Sequence, residues 1–295
     1  MRRAFTCLLA TWLCLPAAAF ALGPGGHGGS SGTGSGFGQS HGRLLPLLPD
    51  GTPVEPSTDR AEFTESADIL DAGHTAWEVN LAGGAVDRLS TLHSNSLELV
   101  HVEGRRGLGG GLEFGAQVEG WNQVAVQQGA TQQRVEESGY GPTTLTLRER
   151  LVAGGDTATC VSLGAHVKLP GASDGPGTRV TEGGVFLPAS FALGGSTHLG
   201  TTLAADIVSN ALDAGHHLEG AASVELSHDF GDHLSVRGEA VSVWYGETGR
   251  PWLGVLDAGF TVEPVAHVGL TLGVATGTRG GFGDVGGFGR VSVHS

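Results

Sequence analysis

The chain has 295 residues, a formal net charge of −14 and 39% hydrophobic residues. An acidic balance of that size excludes nucleic-acid partners, which need a basic footprint. Glycine is abundant, at 52 residues, but lacks the every-third-residue period of collagen, so the composition fits a large β-structure.

Residues 1–21 carry Arg2 and Arg3, an apolar core from Phe5 to Leu15 and the small-x-small site Ala19-Phe20-Ala21. That order predicts a secretory signal peptide, and the core is too short to span a bilayer as a helix. Its removal takes away two arginines and brings the charge to −16. It also takes Cys7 and Cys14, leaving Cys160 alone, so no intramolecular disulfide is expected. No later segment holds the ~18 consecutive apolar residues of a membrane helix. If the chain lies in a membrane, only a closed barrel satisfies its backbone there.

Residues 22–57 are rich in Gly, Ser and Pro and predict a flexible segment. Residues 58–73, TDRAEFTESADILDAG, are polar and stand before the first strand-like run. This segment either folds into a barrel mouth and hydrogen-bonds there, or caps a strand as a turn. Polar turn clusters usually cap or connect, so the cap is the expected role.

From residue 74 to the end the chain becomes a series of alternating runs. Twelve are predicted: 74–82, 96–103, 110–119, 142–153, 157–169, 184–193, 197–208, 217–228, 233–245, 252–262, 265–276 and 285–294. Most have the length a tilted strand needs to cross a bilayer, about 9–11 residues, where soluble strands are nearer 5–6. Connections after even-numbered runs are short, such as GGD, GGS and DFGD; those after odd-numbered runs are longer, such as 83–95, 120–141 and 170–183. Short periplasmic turns alternating with longer external loops mark outer-membrane barrels.

One face of the runs is apolar: Trp77, Val79 and Leu81; Phe114 and Val118; Leu203 and Ile207; Leu256, Phe260 and Val262; Leu270, Leu272 and Val274. The other face is rich in Glu, Ser, Thr, Arg and Gly. In a barrel the apolar face meets lipid and the polar face the lumen. Trp77, Trp244 and Trp252 lie near run ends, where an aromatic girdle sits. Two features resist. Glu149 shares the face of Leu145, Leu147 and Leu151, and Pro188 interrupts the sixth run, which predicts a bulge or a misplaced run boundary there.

On the polar face, Arg148, Arg150, His166 and Lys168 are the basic lumen-lining candidates. Glu113 and Glu119 precede them, and Glu219, Glu225 and Glu239 follow, with Arg237 among the last group. Opposed charges across a narrow pore create a transverse field that screens solutes; equally, paired interior ions can plug a small barrel. The thirteen histidines match no zinc signature. No nucleophile–base pair with a third orienting group can be drawn, so no enzyme and no cofactor is expected.

At residues 58–73 the chain resembles the outer-membrane barrel transporter family named for the meta-pathway of phenol degradation. In that family a segment like D-R-P-x-F-T-E-S precedes the first strand, which starts after a Gly. Asp59, Arg60, Phe63, Thr64, Glu65, Ser66 and Gly73 match, with Ala61 in place of Pro. The resemblance implies a channel for small solutes, hydrophobic or aromatic by the family's name, placed in the outer membrane of a Gram-negative bacterium by the barrel-assembly machinery. Such barrels generally end in an aromatic residue, whereas this chain ends RVSVHS. The expected fold is therefore all-β: one antiparallel transmembrane barrel of about twelve strands. Its partners are the lipid bilayer and a small-molecule solute. The rival expectations are a non-conducting structural or adhesive barrel and a soluble secreted ligand-binding barrel.

Overall fold

The computed structural model describes residues 64–89, 92–128, 134–152, 159–171, 180–210, 215–231, 233–246, 252–279 and 285–294, with two short strands, β1 (Ala17–Ala19) and β2 (Glu55–Ser57). β1 and β2 pair only with each other. The predicted cleavage site and the flexible segment otherwise lie outside the described residues.

All other strands form one sheet: β3 (Thr75–Leu89), β4 (Leu92–Gly109), β5 (Leu112–Val118), β6 (Trp121–Gln128), β7 (Arg134–Tyr140), β8 (Thr143–Val152), β9 (Thr159–Leu169) and β10 (Glu182–Gly194), followed by β11 (Thr197–Ser209), β12 (His216–Asp229), β13 (Leu234–Tyr245), β14 (Leu253–Val265), β15 (Val268–Arg279) and β16 (Val285–His294). Every pairing is antiparallel, and β3 pairs with both β4 and β16. The ring β3-β4-β5-β8 through β16 is therefore closed with twelve strands, which leaves no sheet edge unpaired in the wall.

β6 and β7 do not add strands to the ring. They continue β5 and β8 past the rim, where β6 pairs with the first half of β4. The region 120–141, expected as a loop, is mostly this hairpin. The reason is a line of irregularities crossing neighbouring strands. Val100 in β4 has φ 57°, Gly120 separates β5 from β6, and Gly141-Pro142 separates β7 from β8. Backbone bonds stitch the line: the amide of Glu119 donates to Pro142 O (3.1 Å) and that of Gly141 to Gly120 O (3.0 Å). A Cβ at Gly120 would stand 1.9 Å from the carbonyl of Val100, so the line needs glycine there. Each bulge inserts a residue and reverses the alternation, which hides the extension from a period-two reading.

The orientation of the sheet is that of a membrane barrel. Leu203, Ile207, Leu218, Leu272 and Val274 are exposed on the outer wall, with Leu203 at 58%. Glu113, Arg148, Arg237, Glu239 and Arg290 are buried inside, Glu113 completely. Water would favour the reverse arrangement, so the apolar belt meets hydrocarbon. At the margin opposite the short turns Trp121 and Tyr140 meet edge to face (centroids 5.6 Å apart, planes at 86°), with Trp244 on β13 and Trp252 just before β14 also exposed. Above that level the outward residues turn polar: Arg134 pairs with Glu136 at 2.9 Å, both well exposed. At the opposite margin Trp77 and Phe230 are exposed.

Glu149 does face outward, opposite Leu112 and Leu163, but it lies three residues before the end of β8 at the side of the short turns. There a charge on the lipid face costs little. Pro188 causes no bulge. It pairs with Thr202 of β11, and the β9 ladder passes from Phe186↔Gly164 to Ala189↔Val161 without a change of register. The bulge of β10 falls at Ala192/Gly194 instead.

Candidate functional site in the barrel interior

Residues 64–70 run inside the barrel, with residues 71–73 exposed at its rim, which corrects the expectation of a strand cap. Gly73, at φ 85°, turns the chain into β3, and its amide donates to Gly107 O (3.0 Å). Gly107 permits the passage, because a Cβ there would lie 2.1 Å from the carbonyl oxygen of Asp71. From that rim the segment crosses the half of the interior on the side of the short turns. Thr64, Glu65, Ser66, Ala67 and Ile69 are all buried.

The segment has no ladder of its own, so wall side chains satisfy its backbone, as buried peptide groups require. The amide of Thr64 donates to Glu239 and its hydroxyl to Ser223 (2.7 Å). The amide of Glu65 donates to Thr202 (2.8 Å), that of Ala67 to Ser190 (3.3 Å) and that of Leu70 to Glu113 (2.9 Å). In return Arg148 donates to the carbonyl of Ser66, Arg150 to that of Ile69, and the Cys160 thiol to that of Ala67 (3.4 Å). Amides thus meet acids and hydroxyls on the wall, while carbonyls meet arginines and a thiol. Of the motif residues, Thr64, Glu65, Ser66 and Gly73 take part in this seat or its turn; Asp59, Arg60 and Phe63 lie outside the described residues.

Two charge clusters hold the ends of the segment. In the first, Arg105 reaches Glu113 (3.3 Å), Glu78 and Glu103 (both 3.9 Å). Arg148 shares Glu113 at 3.1 Å, and Arg290 shares Glu78 at 3.2 Å. In the second, Arg237 reaches Glu225 (3.3 Å), Asp257 (3.4 Å) and Glu239 (3.9 Å). Buried ions are tolerated only when paired, and each of these guanidiniums donates to a buried carboxylate.

The ten sequence candidates all turn inward, but they are not one cluster. Arg148, Arg150 and Glu113 stand together near the rim of the short turns, Arg150 also lying 3.8 Å from Asp71. His166 and Lys168 sit towards the outer end of β9, where His166 pairs with Asp206 at 3.1 Å and Lys168 lies opposite Glu182. Glu119 is buried at the bulge line, accepting from Asn122 (3.4 Å). Glu219 lies across from Asp206. Glu225, Arg237 and Glu239 form the second cluster with Asp257, which sequence reading missed, as it missed Glu78, Glu103, Arg105 and Arg290. The signal was present for Glu78, Glu103, Asp257 and Arg290, each at an inward position between apolar or glycine neighbours, as in Trp77-Glu78-Val79, whereas Arg105 is followed by a second arginine, Arg106.

Closed antiparallel wall, outward apolar belt and ionic interior define a transmembrane β-barrel of the outer-membrane type. No protein-family model matches the chain, and no curated relative does either. Among solved structures, the COG4313 outer membrane channel from Pseudomonas putida F1 is similar with a TM-score of 0.61 and 14% identity, over 78% of this chain and 98% of that one. The transport unit of the autotransporter AIDA-I from Escherichia coli is similar with a TM-score of 0.51 and 10% identity, over 78% and 94%. At such identities the likeness is one of fold.

Proposed function

We propose that the protein is an outer-membrane channel for passive passage of small solutes, closed in this structure by residues 64–72, and a member of the transporter family its N-terminal motif resembles. The observation that carries the reading is the seat of that segment. Irregular backbone persists at membrane depth only when enclosed by protein. Here the enclosure is a set of side-chain hydrogen bonds that water can replace, not a continuation of the sheet. Withdrawal would leave a lumen with Arg148 and Arg150 on one side and Glu225, Glu239 and Asp257 on another, a transverse field of the kind that sorts solutes by charge. Passage of this kind needs no catalytic residue and no cofactor.

The test uses the cysteine already at the seat. Ala67→Cys places a second thiol beside Cys160. Oxidation should suppress single-channel current in a planar bilayer, and reductant should restore it. Equal current in both states removes the segment as the closure. No current in either state favours the second reading, a non-conducting structural barrel displaying the β6–β7 hairpin, which the densely buried interior supports.

A further inference from the structure

We propose that the solute is a small organic cation, an ammonium or guanidinium group on an apolar body, seated against the inner wall of β12, β13 and β14. The inference rests on the channel reading and names its solute class. Glu225, Glu239 and Asp257 are direct cross-strand partners on three adjacent strands. Like charges placed directly opposite one another destabilise a sheet, and the Arg237 guanidinium lies within 4 Å of all three acids. In the closed form the amide of Thr64 also faces this row, donating to Glu239. Departure of the segment removes that donor and opens the space before the carboxylates.

Two further observations give the rest of the solute. Immediately outward on the same strands the inward residues are Val241, Val243 and Val255, with Ala221 beside them, a buried apolar patch next to the carboxylate row. Phe288 lies with its ring 5.8 Å from the Arg237 guanidinium, so the site already holds a planar cation between carboxylates and an aromatic face, an arrangement that attracts cations. Among the buried described residues of the wall the balance has the same sign, with nine carboxylates, Glu65 of the segment set aside, against four arginines. An anion entering the interior meets net repulsion, and an ammonium meets the acids with its head and the valines with its body.

Calorimetry on the folded full chain in non-ionic detergent tests this, with benzyltrimethylammonium, tetramethylammonium and benzenesulfonate as probes. Benzyltrimethylammonium should bind at least about tenfold more tightly than benzenesulfonate, a difference of about 1.4 kcal/mol, and more tightly than tetramethylammonium. The double variant Glu225→Gln/Asp257→Asn should lose the preference for the cation, while Glu149→Gln on the outer wall keeps it. Absent ammonium binding, sulfonate binding as tight, or an undiminished preference in the double variant overturns the proposal. Equal affinity for the two ammonium ions removes the apolar part, a readout that needs no variant to fold. Because binding is read without conduction, cation binding in a protein that passes no current refutes the channel and keeps the seat.

Discussion

Arg148 and Glu113 are direct cross-strand partners on β8 and β5, 3.1 Å apart, and the same guanidinium donates to the carbonyl of Ser66. One side chain therefore belongs both to the wall and to the closure. Arg148→Ala should leave Glu113 with Arg105 as its ion-pair partner and the Ser66 carbonyl without this donor. Breaking a buried pair in this way costs about 3–5 kcal/mol. Denaturant unfolding in micelles should register the loss, and bilayer recordings should show more frequent opening. Unchanged stability would mean that the pair is already solvated.

The inner wall also contains rings laid over glycines. A Cβ at Gly273 would stand 2.0 Å from the Phe288 ring, and one at Gly164 2.1 Å from the Phe186 ring. Gly273→Ala should force Phe288 aside and cost about 1–3 kcal/mol, as overpacking does. It should also weaken benzyltrimethylammonium binding if the ring belongs to the seat. Gly164→Ala, at the other ring, should destabilise similarly without touching that binding.

Leu203 is exposed midway along β11, on the outer wall. Leu203→Arg should cost about 2–4 kcal/mol if that position faces the middle of the bilayer, and the same change nearer a margin, at Trp252, about 0–1 kcal/mol. Folding titrations in lipid vesicles read both. Equal small costs would argue that the belt does not meet hydrocarbon.

Gly120 marks the bulge line. Gly120→Val should be incompatible with the approach of Val100 O and should unseat the β6–β7 hairpin while leaving the twelve-stranded ring. Protease digestion of intact vesicles should then cut within residues 121–140 faster than in the wild type.

Much of this was legible in the sequence because the bilayer imposes a simple rule. Strands whose two faces meet hydrocarbon and ions must alternate strictly, so runs such as Leu234–Tyr245 announce themselves, and short connections such as GGS mark one side. The rule fails where the environment changes. At Val100, Gly120 and Gly141 the alternation reverses, and the strands beyond look like loop. Pro188 differs from expectation for a related reason: a missing donor demands neither a bulge nor a strand end, because the ladder to β9 simply skips it. The segment 64–73 was ambiguous in a deeper sense. A polar stretch that caps a strand and one that fills a lumen have the same composition, and only the distant partners, Glu239 for Thr64 or Arg148 for Ser66, tell them apart.

The position of that segment also constrains the order of assembly. It is tied through Gly73 to β3, the first strand of the ring, yet its partners come from β5, β8, β9, β10, β11, β12 and β13. Those strands are synthesised after it and must curl into a trough before the segment has anything to hold. Once β3 pairs with β16 the ring encloses the segment, so a barrel that conducts as proposed opens only after its assembly.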